Sequence, residues 1–292
     1  DKVMSKLPPE LSAASRRQIA QLMHRVLGLG VFPLRLREAN PLPRGWLPKP
    51  TNGKAKSWLY PEEEAQLLRC TRVPLGHRVA YGVLAREGMR KSELLALTWD
   101  DVDLKRGAVS LDENKTDDPR TWALGDDVVA ALHAWRDLCG KPEHGPVFTE
   151  LDGTQLILRA DGDDDDRERT KGEPYRPPRR GLRAHLKLAG VDRAQLFERS
   201  AARQPVRLHD LRATFVTLAL ATGRSETWVA DRTGHRSSQM INKYRRAART
   251  AAELDLGWFK PMHQFIPELA AASKKKGGTV VHMNARRRKR AR

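Results

Sequence analysis

Cysteine is nearly absent, with Cys70 and Cys139 the only two among 292 residues. Two cysteines give no disulfide framework and no metal-ligand spacing, and they suit a reducing cytosol. No apolar run approaches the length needed to span a membrane, and the N-terminus has no signal-peptide pattern. The first residue is Asp1 rather than methionine, so a piece of a longer chain is expected. Tyrosine is scarce as well, limited to Tyr60, Tyr81, Tyr175 and Tyr244. No phosphate-binding P-loop occurs, which removes ATP-driven chemistry of that type. Acid is missing from residues 271–292, which carry Lys274, Lys275, Lys276, Arg286, Arg287, Arg288, Lys289, Arg290 and Arg292. Such a tail reads as solvated and disordered.

What is present is positive charge. The formal net charge is +18, and about half of it lies outside that tail. An excess of this size favours a polyanionic partner, nucleic acid first. The hydrophobic content of 39% is enough for a globular body.

Apolar spacing predicts an amphipathic helix over residues 12–29, with Ile19, Leu22, Met23, Val26 and Leu27 on one side. One helix cannot bury that stripe alone. Residues 41–57 are proline-punctuated and basic, a stiff linker. The body is expected from residue 58. Pro61, Glu62, Glu63 and Glu64 open a helix where proline and acids suit the first turn. Helices follow over 77–87, ended by Gly88, and 91–97. Short strands are expected at 102–104, 108–111 and 120–124, then helices at 126–138, 183–188, 208–221, 226–232 and 239–251. The fold class is mainly α with a small antiparallel β-sheet. Residues 150–180 read as loop. The acidic run Asp161 to Asp166 lacks the terminal glutamate spacing of a calcium loop and reads as solvated.

Cutting DNA without a metal requires cations around a phosphate, a nucleophile, and an acid for the leaving oxygen. The chain offers such a set in order. Arg90 stands at a turn into a helix, with Glu93 three residues on to orient it. Lys115 lies beside a strand turn, and His209 and Arg212 share a helix face. Thr233-Gly234-His235 forms a tight turn, and Tyr244 follows nine residues after His235. Each residue alone has an ordinary structural explanation; the four groups together do not.

The runs Gly88-Met89-Arg90-Lys91-Ser92-Glu93-Leu94, His209-Asp210-Leu211-Arg212 and Gly234-His235 followed by Tyr244 resemble the catalytic domain of the tyrosine recombinases, the phage-integrase family. Lys115 falls where that family keeps its hairpin lysine. The resemblance spans roughly residues 58–250. Ala213 stands where histidine is frequent, Thr233 where leucine is usual, and Asp117 and Asp118 put acid in a turn that is often basic.

The resemblance implies a site-specific recombinase that cleaves and rejoins double-stranded DNA through a 3′-phosphotyrosine at Tyr244, without metal, ATP or other cofactor. Arg90, Arg212 and His235 would neutralise the phosphate. Lys115 would protonate the 5′-oxygen, and His209 would assist proton transfer. It implies a homotetramer on two paired DNA sites, an accessory directionality factor, and a cytoplasmic setting in a mobile genetic element. Four segments follow: residues 1–40 as the last helix of a core-binding domain, the linker 41–57, a catalytic domain over 58–257, and a docking segment with basic tail over 258–292. Leu256, Trp258, Phe259, Met262, Phe265, Ile266 and Leu269 could be core, or could dock on a neighbouring protomer. Two alternatives stay open: a non-catalytic helix-turn-helix DNA-binding regulator built on residues 208–247, and a type IB topoisomerase-like enzyme.

Overall fold

A computed structural model describes residues 2–42, 44–48, 54–112, 119–158, 181–200 and 202–275. The chain divides into two compact units, Asp1–Lys54 and Ala55–Arg292. The division falls inside residues 41–57, the stretch that the sequence reads as a linker.

The first unit contains a short helix α1 (Lys2–Ser5) and the predicted long helix α2 (Ala13–Val31). Ser12 caps α2, its hydroxyl accepting from the Ser15 amide at 3.1 Å. Ala20 is fully buried, but Leu22 and Val26 of the apolar stripe are more than half exposed.

The second unit holds the predicted helices. They are α3 (Pro61–Arg69), α4 (Leu75–Glu87), α5 (Lys91–Ala96), α6 (Asp126–Leu138), α7 (Leu182–Leu188), α8 (Asp210–Ala221) and α9 (Glu226–Thr233). Strands β1 (Val102–Asp103), β2 (Ala108–Leu111) and β3 (Arg120–Ala123) form an antiparallel sheet in that order, with Val109 opposite Trp122. Alternation in β3 buries Arg120 and Trp122 and exposes Thr121 and Ala123.

The acids that open α3 do more than complement a helix dipole. Glu63 accepts two bonds from Arg193 at 2.6 and 2.7 Å, and Glu64 pairs with Arg86 inside the protein.

Residues 239–251 do not form one helix. They are split into α10 (Ser238–Asn242) and α11 (Arg245–Glu253). The Tyr244 amide donates to Ile241 O three residues back at 2.9 Å, so the chain tightens there without leaving the right-handed region. Ile241, Tyr244, Ala248 and Ala251 all face inward on both sides of the break, at the spacing of one helical face.

Two apolar clusters result. The larger joins α3–α7 and the sheet; the smaller holds Ala213, Phe215, Val216, Ala219, Val229, Ile241 and Tyr244. The C-terminal helices α12 (Met262–Phe265) and α13 (Pro267–Lys275) pack on α6 of the same chain. Phe259, Met262, Phe265, Ile266 and Leu269 are buried there, each gaining about 1.5–3 kcal/mol. Arg78 holds Glu268 of α13 with two bonds, at 2.9 and 2.6 Å. This is the segment for which docking on a neighbour is the alternative; here its apolar residues are core of their own chain.

Candidate active site

The site is built on two turns and the helices that leave them. Gly88 ends α4 with φ of +65°, and a Cβ there would lie 2.3 Å from the Phe215 ring. Only glycine satisfies both constraints. Two residues on, Arg90 caps α5. Its amide donates to Glu93 Oε2 at 2.7 Å, and its guanidinium pairs with Glu93 Oε1. The expected orienting role of Glu93 is present in the structure.

Glu93 Oε1 also accepts from Arg120 Nη2 at 2.7 Å. Arg120 was not anticipated as part of the site. From β3 its Nη1 donates to Arg232 O at 3.0 Å, and a Cβ on Gly234 would lie 2.6 Å from that nitrogen. Arg120 therefore joins the Arg90 turn to the Gly234 turn.

Arg212, on α8, is only 3% exposed. Its Nη1 donates to Gly88 O at 2.7 Å, and its Nη2 donates to Thr233 O. One guanidinium thus holds the carbonyls of both turns. Burial, followed by the nearby Arg90 charge, pulls its pKa down to about 10, with Glu93 and Tyr244 opposing. It remains charged at neutral pH, but in a setting short of negative charge.

His235 follows the second turn. Its Nδ1 lies 3.0 Å from Thr233 Oγ1, whose own hydrogen goes to Val229 O at 2.6 Å. The threonine oxygen must then accept, so a neutral His235 carries its proton on Nδ1 and leaves Nε2 bare. Burial, then Arg212, Lys56 and Arg90, depress its pKa to about 3. Thr233, where the resemblance leads one to expect leucine, thereby fixes the tautomer of the neighbouring imidazole.

His209 occupies the N-cap position of α8 with its residue surface largely open. Enough protein still surrounds the ring that desolvation leads in lowering its pKa, followed by Lys56 and Arg212. Tyr244 is 4% exposed, and its ring centroid lies 6.3 Å from that of His235. Its hydroxyl accepts from Lys56 Nζ at 2.7 Å.

Lys56 falls within residues 41–57, the stretch that the sequence reads as linker. No motif marks it, and 188 residues separate it from Tyr244. Arg120 could have been found, because a charged residue on the buried face of a strand requires a partner. Lys115 lies outside the described residues. The other five predicted residues, Arg90, His209, Arg212, His235 and Tyr244, are linked through shared contacts and mutual electrostatic influence.

The phage integrase family model matches residues 57–250. The chain belongs to that family. No curated protein sequence matches it. Among solved structures, it is similar to a lambda integrase dimer bound to a COC′ core site. That likeness has a TM-score of 0.57 at 16% identity and covers 80% of this chain and 59% of that one. It is also similar to the Tn1549 transposon integrase in complex with circular intermediate DNA (TM-score 0.56, 17% identity, 85% and 80% covered). A lambda integrase tetramer bound to a Holliday junction matches with a TM-score of 0.55 at 15% identity, over 80% of this chain and 59% of that one. The chain thus spans about three-fifths of the full lambda integrase chains. At these identities the likeness establishes the integrase fold: mainly helical, with one small antiparallel sheet. Among the described residues no helix is long and apolar enough to cross a membrane.

Proposed function

We propose that this integrase-family protein is a site-specific DNA recombinase that cleaves and rejoins double-stranded DNA through a phosphotyrosine at Tyr244. The observation that carries the reading is the buried Tyr244 hydroxyl, set beside His235 and among cations that carry too few carboxylates to neutralise them.

Tyr244 attacks the scissile phosphorus, the P–O5′ bond breaks, and the 3′ end stays on the tyrosine. Arg90 and Arg212 hold the non-bridging oxygens as charge grows on them. His209 and His235 have depressed pKa values and are neutral at physiological pH, so either can take the phenolic proton. A His235 that gains this proton becomes a second donor to the phosphate. Lys115 protonates the 5′-oxygen. The covalent link conserves the bond energy, so resealing needs no ATP, and the arginines supply positive charge that a metal would otherwise bring.

DNA in the related lambda and Tn1549 complexes supports the choice of partner, and the lambda dimer and tetramer support a multi-protomer assembly. A tetramer on two paired sites, helped by a directionality factor, fits this reading. Exchange of the C-terminal segment between protomers would require α12 and α13 to leave the seat they occupy.

The test starts from a pool of nicked duplexes randomised around the cleavage position, with excess EDTA present. Wild-type protein should trap a denaturation-resistant adduct, and Tyr244→Phe should lose it while binding DNA nearly as well. Wild-type levels of adduct in the variant would remove Tyr244 from its role. Activity that vanishes in EDTA and returns with magnesium would point to a metal-dependent nuclease.

A further inference from the structure

Lys56 belongs to the second unit but to none of its helices. Ala55 forms a parallel bridge with Arg203, and the Ser57 hydroxyl donates to Gln204 O at 2.9 Å, so both neighbours of Lys56 are fixed to the 203–204 segment. Leu59, buried completely, donates its amide to Thr214 Oγ1 of α8 at 3.0 Å. The lysine is therefore delivered to the site by a tethered backbone. Its residue surface is largely exposed, yet its ammonium reaches inward to a tyrosine that is 4% exposed. Nζ stands 2.7 Å from the hydroxyl oxygen and 4.9 Å from the ring centroid. Among the described residues the Tyr244 hydroxyl is its one hydrogen-bond partner, and no carboxylate pairs with it.

Resting on the reading of Tyr244 as nucleophile, we infer that Lys56 is a further catalytic residue, whose ammonium stabilises the negative charge on the Tyr244 oxygen during attack. An N–H aimed at this oxygen occupies one lone pair. The phenolic hydrogen must then point away from Lys56, free to pass to a neutral imidazole. As the O–H bond breaks, charge builds 2.7 Å from a cation, on a tyrosine that is 4% exposed, where such donors act more strongly than in water. Lys56 keeps its three hydrogens throughout. The proton goes to His209 or His235, the tyrosine oxygen bonds to phosphorus, and the 5′-oxygen leaves with a proton from the separate acid. When the strand is resealed, the same ammonium stabilises the departing phenolate.

The experiment uses the full chain and the duplex recovered from wild-type trapping, at saturating protein and in a single turnover. It is repeated with sulfur replacing the bridging 5′-oxygen. A thiolate leaves without needing a proton, so sulfur restores a variant that lacks the leaving-group acid but not one whose nucleophile is impaired. Lys56 is exposed, and Lys56→Met should keep the wild-type melting temperature and DNA affinity within about twofold. Its adduct should form about 10²-fold more slowly, the cost of one well-placed donor. Lys56→Arg should recover most of the rate, and sulfur should not rescue Lys56→Met. A Lys56→Met rate equal to or above wild type would overturn the inference, leaving a lysine that only parks the tyrosine or holds the backbone. Rescue by sulfur would overturn it in favour of a leaving-group acid. A wild-type protein that forms no Tyr244 adduct would instead remove the nucleophile reading, and the role of Lys56 with it.

Discussion

Arg86 and Arg212 are equally buried, each 3% exposed, and they sit in opposite electrostatic company. Arg86 pairs with Glu64, meets Asp127 at 2.7 Å, and lies over the Phe259 ring at 4.5 Å. Burial alone would lower its pKa, but the two carboxylates more than reverse the effect and raise it. Arg212 is held by two neutral carbonyls, and among its neighbours are the cations Arg90 and Arg120. Its pKa falls. The first arrangement is a finished structural contact. The second is a cation held in place without its anion, which is the state expected of a group that waits for a phosphate.

The largest effect should come from disturbing the second arrangement. Arg212→Lys keeps the charge but loses the planar fork that reaches Gly88 O and Thr233 O. Adduct formation should fall by about 10³-fold or more, since two turns lose their common tie as well as the proposed phosphate ligand. Single-turnover trapping measures this. A drop of less than tenfold would place Arg212 among the structural arginines.

Arg86→Met attacks the first arrangement and should act on stability instead. It leaves Glu64 buried without its partner, at a cost of about 3–5 kcal/mol. Urea denaturation reads that loss directly. Cleavage per folded molecule should stay close to wild type, and a selective loss of cleavage would blur the distinction drawn between the two arginines.

How much of this was legible beforehand depended on range. The helices and the hairpin followed from local periodicity and from Gly88 and Pro61, which act within a turn of their own position. Glu93 was legible for the same reason, three residues from Arg90. The break at Tyr244 was not, because no glycine or proline marks it. Lys56 was misplaced for a similar reason, since its only signal is a contact made across the whole domain. Arg120 left a trace in the strand alternation. The acids of α3 show in the sequence only as dipole partners because their arginines, Arg86 and Arg193, lie well outside the helix. Lys115 lies outside the described residues.

Leu269→Ala sharpens the comparison at the distal end of the same core. Leu269 is fully buried on its own chain, so its truncation should cost about 2–5 kcal/mol. Calorimetry should show a lower melting temperature at every protein concentration. A normal melting temperature accompanied by loss of higher-order DNA complexes would mean that this segment serves a neighbour.

The smallest effect concerns Glu87, a buried acid whose desolvation outweighs the opposing charge of Arg232. It accepts from Trp122 Nε1 at 2.8 Å and from the Gly125 amide at 2.9 Å, and burial pushes its pKa up to about 7. The folded state therefore holds this proton more tightly than the unfolded chain does. The contribution is fully present below the ordinary carboxylate range and is lost as pH rises towards 7. Glu87→Gln should flatten that decline, by an amount on the order of 1–3 kcal/mol between pH 4.5 and 7. Denaturation at several pH values in both proteins checks it; parallel curves would mean that Glu87 is ionised throughout.

Gly88 and Gly234 touch no phosphate in the proposed reaction, yet each is shut against a side chain by a different neighbour, the Phe215 ring and the Arg120 guanidinium. Both also require a positive φ. Substitution at either position therefore strains the backbone and displaces the Phe215 ring or the Arg120 guanidinium, whatever the exposed residues elsewhere are. The site is, in this sense, shaped as much by two missing methyl groups as by the side chains around them.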